Sequence, residues 1–214
     1  MTTHVSICCP KGGVGRTTLA VHIADRLAAS GHRVLLRDAD RQGSAIGWAY
    51  LADQVRAAEQ QSFLPFTVGR GGPADQYDII LTDHGPADEP PADADLVVCP
   101  VSLDGVALAV GLQMLQALRL RGITPIIVIS KYRPDRAEHR AALALPALSG
   151  AIIVRDRAAL ASWYATGRTI YDPAHGRAHG IALARRDIDA VVDAVDRRIS
   201  DHNPYADILA GAEG

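Results

Sequence analysis

The sequence predicts an α/β domain with a mostly parallel, twisted sheet and helices on both of its faces. Short apolar runs rich in Val, Ile and Leu alternate along the 214 residues with stretches of helical periodicity, which is the order of strand–helix–strand units. The runs are apolar at nearly every position, as in strands that are buried on both faces. A glycine-rich turn also joins the first predicted strand to the first predicted helix, where such sheets bind anions.

The first third of the chain surrounds this turn. Residues 4–9, HVSICC, are a continuous apolar run and predict a buried strand. Apolar residues at every third or fourth position predict a helix over 17–30, which a Ser-Gly pair ends. The run RVLLR predicts a second strand at 33–37, and a helix is predicted at 44–60. Two prolines and three glycines make 61–76 an irregular connection.

The remaining elements continue the alternation. Apolar runs predict strands at 77–82, 96–101, 124–130 and 151–154, and helices are predicted at 106–120, 136–145 and 181–199. The last helix carries Ile188, Val191, Val192 and Val195 on one face, as an amphipathic helix packed on a sheet does. No linker or repeat divides the chain, so we expect one domain over 1–214, with an acidic tail at 201–214 that frays.

The composition excludes several classes of protein. A hydrophobic content of 48% is enough for one sizeable core, and 22 basic residues against 24 acidic ones give a net charge of −2, which excludes a uniformly basic nucleic-acid binder. The three cysteines have neither the spacing of a disulfide framework nor that of a metal site. No apolar run approaches the ~20 residues of a membrane span, and the N-terminus lacks the pattern of a secretory signal. We therefore expect a cytoplasmic protein with no membrane partner.

Residues 10–18, PKGGVGRTT, are the most informative segment. Three glycines in four positions let backbone N–H groups close round phosphate oxygens, and a helix N-terminus follows directly. Thr17, in the first turn of that helix, can place its hydroxyl on Mg²⁺. The candidate nucleotide-binding residues of this segment are Lys11, Gly12, Gly13, Val14, Gly15, Arg16, Thr17 and Thr18.

This segment resembles the deviant Walker A motif of the ParA/MinD family of P-loop ATPases, which reads KGGxGK[ST]. Lys11 matches the signature lysine of that motif, which in the family crosses a dimer interface to the partner's nucleotide. The resemblance covers nearly the whole chain, tightly up to about residue 100 and loosely beyond it, and is greatest to the small plasmid-partition members. It implies a homodimer that forms with ATP, with ATP and ADP as ligands and Mg²⁺ as the metal.

Arg16 departs from the family pattern, which has the phosphate-contacting lysine at this position. A guanidinium keeps the charge and can bind phosphate through two N–H groups, but it is bulkier and planar. Because phosphoryl transfer depends almost entirely on positioning, nucleotide binding can survive where hydrolysis does not. Two alternatives therefore stay open: an ATPase, expected to be weak, and a nucleotide-gated scaffold with little or no turnover.

Carboxylates follow two of the predicted strands. Asp38 and Asp40 lie in a segment that resembles switch I of the family, with Arg41 in place of its usual proline, and Asp83 follows the third strand as a Walker B aspartate does. The resemblance makes Thr17, Asp38 and Asp83 the candidate Mg²⁺ ligands. In the family the second aspartate contacts the attacking water, so Asp40 joins Lys11 and Arg16 as a candidate catalytic residue. A solvated turn, or a cap on the next helix, is the alternative for Asp40.

Two further segments have less specific counterparts in the family. His84, beside the Walker B aspartate, either contacts the γ-phosphate or is a histidine of a surface loop. The residues after the fifth predicted strand line the adenine pocket in relatives, which makes Lys131 and Tyr132 candidate nucleotide-binding residues. An exposed tyrosine with no contact to the base is the alternative for Tyr132.

Arginines are concentrated between residues 155 and 186, where there are six arginines and two aspartates. Relatives bind non-specific DNA with basic residues of the C-terminal half once ATP has formed the dimer, and arginines without a base-reading motif suit phosphate contacts of any sequence. Solvated helix faces would explain the same arginines. The candidate DNA-binding residues are Arg155, Arg157, Arg168, Arg177, Arg185 and Arg186.

The resemblance as a whole implies a cytoplasmic, nucleoid-associated partition ATPase. It would bind non-specific DNA as an ATP dimer and segregate or position a cargo, foremost a plasmid. Because the first strand begins at residue 4, there is no room for an N-terminal helix-turn-helix domain, and we expect a separate centromere- or cargo-binding partner that stimulates hydrolysis. A non-DNA cargo is an alternative. Lys11 disfavours a metabolic P-loop enzyme such as dethiobiotin synthetase. Redox relatives of the nitrogenase iron-protein type carry paired cysteines after the Walker B and later strands, and because only Cys99 lies in that region an iron–sulfur protein of this type is disfavoured.

Overall fold

A computed structural model describes residues 2–86, 94–175 and 180–202. The strands of the described chain are β1 (Thr3–Ile7), β2 (Val34–Asp38), β3 (Thr67–Gly69), β4 (Ile79–Asp83), β5 (Leu96–Ser102), β6 (Ile126–Tyr132) and β7 (Ile152–Arg155). Its α-helices are α1 (Arg16–Ala29), α2 (Ser44–Ala58), α3 (Gly105–Leu120), α4 (Ala137–Ala142), α5 (Ala158–Thr166) and α6 (Ile181–His202). None of the helices so described is long and apolar enough to cross a membrane.

The strands form one sheet in the order β3-β2-β4-β1-β5-β6-β7, and every neighbouring pair is parallel. The predicted fold class is therefore confirmed, with the sheet wholly rather than mostly parallel over the described strands. Asp83 pairs in register with Ile7 of β1 on one side and with Asp38 of β2 on the other. The carboxyl ends of these three strands consequently meet at one edge of the sheet, where ligands bind in open α/β folds.

Helices cover both faces of the sheet, as the sequence predicts. One core cluster joins strand residues such as Val5 and Leu81 to α1, α2, α5 and α6, and includes Trp48 and Trp163. The other joins the opposite strand face to α3 and α4. Alternate residues of a strand point to opposite faces. Because helices cover both faces, nearly every strand is apolar on both sides.

Two elements lie outside the sequence prediction. The edge strand β3 lies within the expected irregular connection; at three residues it is too short to give a hydrophobic pattern. Helix α5 follows the last strand, and its sequence AALASWYAT is apolar almost throughout, so no one-sided periodicity marks it. The predicted helix at 136–145 is shorter, since α4 ends at Ala142. Of the tail expected to fray, residues 201 and 202 belong to α6, and the rest lies outside the described residues.

Candidate nucleotide-binding site

The loop between β1 and α1 leaves a helix N-terminus open to a ligand. Gly13 and Gly15 have φ angles of +77° and +89°, in the left-handed region that favours glycine. Gly15 is also the N-cap of α1 and supplies no side-chain acceptor, so the first N–H groups of the helix have no cap from that position. The side chain of Val14 is buried and anchors the loop to the protein. An anion is the natural partner of such a terminus.

A cavity of about 680 Å³ opens over this helix terminus. Its wall combines the glycine loop with Asp40 after β2, Lys131 of β6 and the segment from Val154 into α5. The volume lies within the 300–1,000 Å³ range of small-molecule sites. Four separate segments of the chain thus surround one space large enough for a nucleotide.

The three predicted Mg²⁺ ligands lie close to the glycine loop: Thr17 lines the cavity, and Asp38 and Asp83 pair in register at the ends of neighbouring strands. Thr17 Oγ1 donates a hydrogen bond of 2.7 Å to Asp83 Oδ2. Asp83 Oδ1 and Asp38 Oδ1 are buried and have no hydrogen-bond partner among the described residues. Buried carboxylate oxygens require a partner, and two of them beside a threonine hydroxyl are the oxygen donors that Mg²⁺ prefers. The residues present therefore fit this metal.

The protonation of Asp83 reflects the same arrangement. Burial raises the pKa of its carboxyl to about 7, and the negative charges of Asp38 and Asp40 add to the rise, while the hydrogen bond from Thr17 and the charge of Arg16 oppose it. A divalent cation would favour the ionised form and reverse the shift. The raised pKa shows that the negative charge of this carboxylate is poorly stabilised by its surroundings, which a nearby cation would correct.

Asp40 lies at the cavity wall with its carboxylate held in place. It is buried, its Oδ1 accepts a 2.9 Å hydrogen bond from the Gln42 backbone N–H, and its Oδ2 lies 3.9 Å from Nη2 of Arg16. The N-cap of α2 is Gly43, not Asp40. Neither a solvated turn nor a helix cap therefore describes this residue.

Arg16 is buried and its guanidinium contacts backbone carbonyls. Nε donates to the carbonyl of His84 at 2.8 Å, and Nη1 donates to those of Cys9 and Lys11 at 2.7 and 2.6 Å. With Asp40 at 3.9 Å, this one side chain connects the glycine loop to the segments after β2 and β4. Arg16 also lines the cavity, so bound phosphates would have to compete with carbonyls for its N–H groups.

The loop after β2 is held from its other side by Arg70. This residue follows the edge strand β3, and its Nη1 donates to the backbone carbonyls of Asp38 and Asp40 at 3.0 and 2.6 Å. A Cβ atom on Gly43 would lie 3.1 Å from its Nη2, which shows how closely the guanidinium packs on the loop. Sequence reasoning missed Arg70, because nothing local marks a contact that spans 30 residues or more.

Lys131 and Tyr132 occupy opposite sides of the sheet. Lys131 has a left-handed φ of +55°, and its Nζ donates a 2.7 Å hydrogen bond to the carbonyl of Gly13. Tyr132 is buried in the core beside α3 and α4, next to the ring of His139, and it is not part of the cavity wall. Free exposure of Tyr132 is therefore wrong, and its ring lies apart from the cavity into which Lys131 projects, because successive residues of a strand face opposite ways.

His84 is buried too, and its Nε2 lies 3.1 Å from the hydroxyl of Ser6. It is thus no surface-loop histidine. Lys11 is exposed at the start of the glycine loop, and only its backbone carbonyl takes part in the contacts above. The Lys11 side chain is therefore exposed to solvent beside the glycine loop.

Helix α5 supplies a wall of the cavity that the sequence did not predict. Trp163 packs between the sheet and the loop, and its Nε1 donates a 3.1 Å hydrogen bond to the hydroxyl of Thr18. Leu160 and Tyr164 line the same wall. The aromatic pair Trp163-Tyr164, in a segment without periodicity, was the one sequence feature that could have indicated this wall.

The six C-terminal arginines differ in their surroundings. Arg157 pairs with Asp187, Arg168 pairs with Glu59 and Asp172, and Arg185 Nε donates to the carbonyl of Ile170. Arg155 and Arg186 are exposed, and Arg177 lies outside the described residues. Three of the six are thus engaged in contacts within the domain, and of the described five only Arg155 and Arg186 are exposed to solvent.

Three features together define a P-loop nucleotide-binding domain. A glycine loop follows the central strand of a parallel sheet, a helix N-terminus lies above that loop, and a threonine donates a hydrogen bond to an aspartate of the adjacent strand. Residues 5–170 match the model of the CobQ/CobB/MinD/ParA nucleotide-binding domain. The chain belongs to this family, as its sequence motif indicates.

Individual relatives match over shorter stretches. The chromosome partitioning protein ParA of Caulobacter vibrioides is 33% identical over 117 residues, which are 55% of this chain and 39% of that protein. The maintenance of carboxysome distribution protein A of Gloeobacter kilaueensis is 60% identical over 45 residues, 21% of this chain and 20% of that protein. The chain therefore aligns with less than half of the length of these relatives.

Solved structures resemble the chain over nearly its whole length. McdA of Cyanothece in complex with ATP has a TM-score of 0.67 at 15% identity and covers 91% of this chain and 96% of its own. MinD of Pyrococcus horikoshii with Mg-ADP has a TM-score of 0.60 at 15% identity, covering 100% and 99%. A plasmid partition protein of Borrelia burgdorferi has a TM-score of 0.59 at 15% identity, covering 90% and 99%. At this level of identity the likeness shows the shared fold.

Proposed function

We propose that this protein is an ATP-dependent dimerising ATPase that binds non-specific DNA and segregates or positions a cargo, foremost a plasmid. The observation that carries the proposal is the Thr17–Asp83 hydrogen bond beside two unpartnered carboxylate oxygens at the opening of the glycine loop. Family membership and the likeness to partition proteins support it.

Each residue of the site has a role in this proposal. Backbone N–H groups of the glycine loop bind the phosphates of ATP, while Thr17, Asp38 and Asp83 hold Mg²⁺, which neutralises charge on the phosphates. Asp40 orients the attacking water, because its carboxylate is fixed at the cavity wall. The base occupies the part of the cavity between Lys131 and α5.

Dimerisation and DNA binding complete the cycle. Lys11 is exposed at the rim and reaches the nucleotide of the second subunit. DNA phosphates contact the exposed residues Arg155 and Arg186, and the protein associates with the nucleoid in the cytoplasm. A separate cargo-binding protein stimulates hydrolysis and so releases the dimer.

The nucleotide state of the protein tests this proposal. With ATP and Mg²⁺ we expect a dimer by light scattering that retards duplex DNA of any sequence, and a monomer without retardation when ADP replaces ATP. Lys11→Ala should remain monomeric in ATP while still binding nucleotide, because only the contact to the second subunit is lost. A wild-type protein that stays monomeric in every nucleotide state would refute the proposal.

A nucleotide-gated scaffold is the second candidate, and the contacts of Arg16 favour it. Three of its N–H interactions go to backbone carbonyls, so fewer remain for the transition state. If the wild-type protein is such a scaffold, its phosphate release will equal that of Lys11→Ala, and Arg16→Lys will raise release at least tenfold by restoring a compact ammonium. Release by the wild type well above the Lys11→Ala level would identify an ATPase instead.

Two versions of the proposal differ in the cargo, which is either a plasmid or a protein compartment. One relative is described as maintaining the distribution of carboxysomes, so a non-DNA cargo is served by a chain of similar sequence. Loss of a plasmid on deletion of the gene would identify a plasmid cargo. Loss of even spacing of a protein compartment, with plasmids retained, would identify the other.

A further inference from the structure

A second cavity lies at the opposite edge of the sheet from the nucleotide site. It has a volume of about 420 Å³ and includes Ile126 and Ile152, the first residues of β6 and β7. The first cavity opens at the carboxyl ends of the strands, whereas this one opens at their amino ends. The two spaces are therefore separated by the length of the sheet, and no role in nucleotide binding accounts for the second.

Three arginines line this second cavity: Arg119 near the end of α3, and Arg197 and Arg198 on α6. Within residues 2–86, 94–175 and 180–202, none of the three has a carboxylate within 4.0 Å. Arg119 is held at the rim by a 3.0 Å hydrogen bond from Nη2 to the carbonyl of Ala147. A single carboxylate, Asp201, lies on the cavity wall, so the described lining carries two more positive charges than negative ones.

Several other arginines of the described chain, unlike these three, have a carboxylate within 4.0 Å. Arg26, Arg33, Arg133, Arg136, Arg157 and Arg168 each form an ion pair with a carboxylate. Like charges gathered in a concave site repel one another and attract an anion. The hydroxyls of Thr124 and Ser149 on the same wall add hydrogen-bond donors.

We propose that this second cavity binds phosphate groups. The planar guanidinium matches the oxygens of a phosphate through paired N–H groups, and the volume admits a phosphate together with the sugar attached to it. The phosphate comes either from the backbone of a nucleic acid or from a small phosphorylated molecule. Only the first source rests on the proposed function, in which case the DNA surface lies here rather than at Arg155 and Arg186.

A pair of matched double variants tests the site. Arg197→Gln with Arg198→Gln removes two charges from the cavity, and Arg33→Gln with Arg140→Gln removes two charges elsewhere on the surface. Binding of inorganic phosphate is measured by calorimetry on protein saturated with Mg-ADP, so that the glycine loop is occupied. Binding of duplex DNA is measured by fluorescence anisotropy at several salt concentrations with ATP. Circular dichroism and nucleotide affinity check that both variants fold.

The two phosphate sources give different results. If DNA is the source, the cavity variant binds DNA at least tenfold more weakly than the control variant, and the slope of log K against log salt falls by about 2. If the source is a small molecule, phosphate binding is lost in the cavity variant alone and DNA binding is unchanged. Equal binding by both variants in both assays would overturn the site. ATP-dependent dimerisation is measured separately, so failure of the proposed function is recognised on its own.

Discussion

At the scale of single residues, two arginines hold the loop that carries Asp40. Arg16 approaches the Asp40 carboxylate from the glycine loop, and Arg70 binds the backbone carbonyls of Asp38 and Asp40 from the edge of the sheet. Arg70 does not line the cavity, and its hydrogen bonds fix the position of the loop. Positioning of this kind is worth large factors in rate, because small displacements of a reacting group are costly.

For the proposed ATPase activity we therefore expect Arg70→Ala to lower kcat about tenfold and leave KM nearly unchanged, since Arg70 does not line the cavity. Arg70→Lys should recover part of the loss by restoring one donor. Steady-state phosphate release gives both constants, and hydrogen exchange of amides 39–46 reports the loop directly, even where turnover is slow. A variant with wild-type kcat and wild-type exchange in this loop would show that Arg70 positions nothing.

The sequence identified those site residues whose neighbours lie close in the chain or at strand ends. The glycine loop and Thr17 form one local motif, and Asp38 and Asp83 each terminate a strand, so the parallel sheet brings them together. Arg70 could not be found in this way, because its contacts depend on the pairing of the three-residue strand β3. The sequence could not show that Tyr132 is buried, because the order of residues along β6 does not tell which of them point to the cavity and which to the core.

At the scale of elements, α3 packs against β5 through a glycine. A Cβ atom on Gly111 would lie 2.8 Å from Cγ1 of Val101, closer than side-chain carbons approach one another. Valine cannot move aside easily, because its branched Cβ restricts its rotamers. The helix therefore approaches the strand to a distance that only glycine allows.

We expect Gly111→Ala to lower the free energy of unfolding by about 1–2 kcal/mol, because overpacking costs more than the ~1 kcal/mol that alanine contributes to a helix. Urea denaturation with a fitted slope measures the change. In a Val101→Ala background the same substitution should be neutral or stabilising, since the contact is gone. Equal destabilisation in both backgrounds would place the cause elsewhere.

The elements themselves were largely predictable, with two exceptions, the short edge strand β3 and helix α5. Long apolar runs and clear helical periods located β1, β2, β4, β5, β6, β7 and most of the helices. Helix α5 escaped because Trp163 is buried in the core while its neighbours line the cavity, so the helix is apolar on more than one side. Its position was fixed by tertiary packing rather than by local pattern.

At the scale of the whole molecule, a buried histidine couples stability to pH. His22 is buried in α1, and the centroid of its ring lies 5.3 Å from that of Trp163. Its Nδ1 lies 2.7 Å from the Thr18 carbonyl, and its Nε2 is buried without a hydrogen-bond partner in the described chain. Burial lowers the pKa of His22 from 6.5 to about 4. The folded protein therefore keeps this ring neutral where the unfolded chain protonates it.

We expect His22 to make the protein less stable as the pH falls from about 6.5 to about 4. In this window the unfolded chain binds a proton that the folded chain does not, so the free energy of unfolding decreases by up to about 1.4 kcal/mol per pH unit. His22→Leu should remove this part of the slope, whereas His32→Leu, at a half-buried position, should keep it. Urea denaturation at several pH values measures the slope, and an unchanged slope in His22→Leu would contradict the assignment.

The chain contains only two lysines, Lys11 in the glycine loop and Lys131 of β6, which contacts that loop. Lys131 bonds the carbonyl of Gly13, and Lys11 is exposed at the start of the loop. Acylating reagents that attack side-chain amines consequently modify this protein at one place in space. In the proposed dimer the nucleotide would shield Lys131 and the second subunit would shield Lys11, so mass spectrometry of the two acylated peptides would distinguish ligand from partner. The same scarcity means that immobilisation through side-chain amines would obstruct the glycine loop.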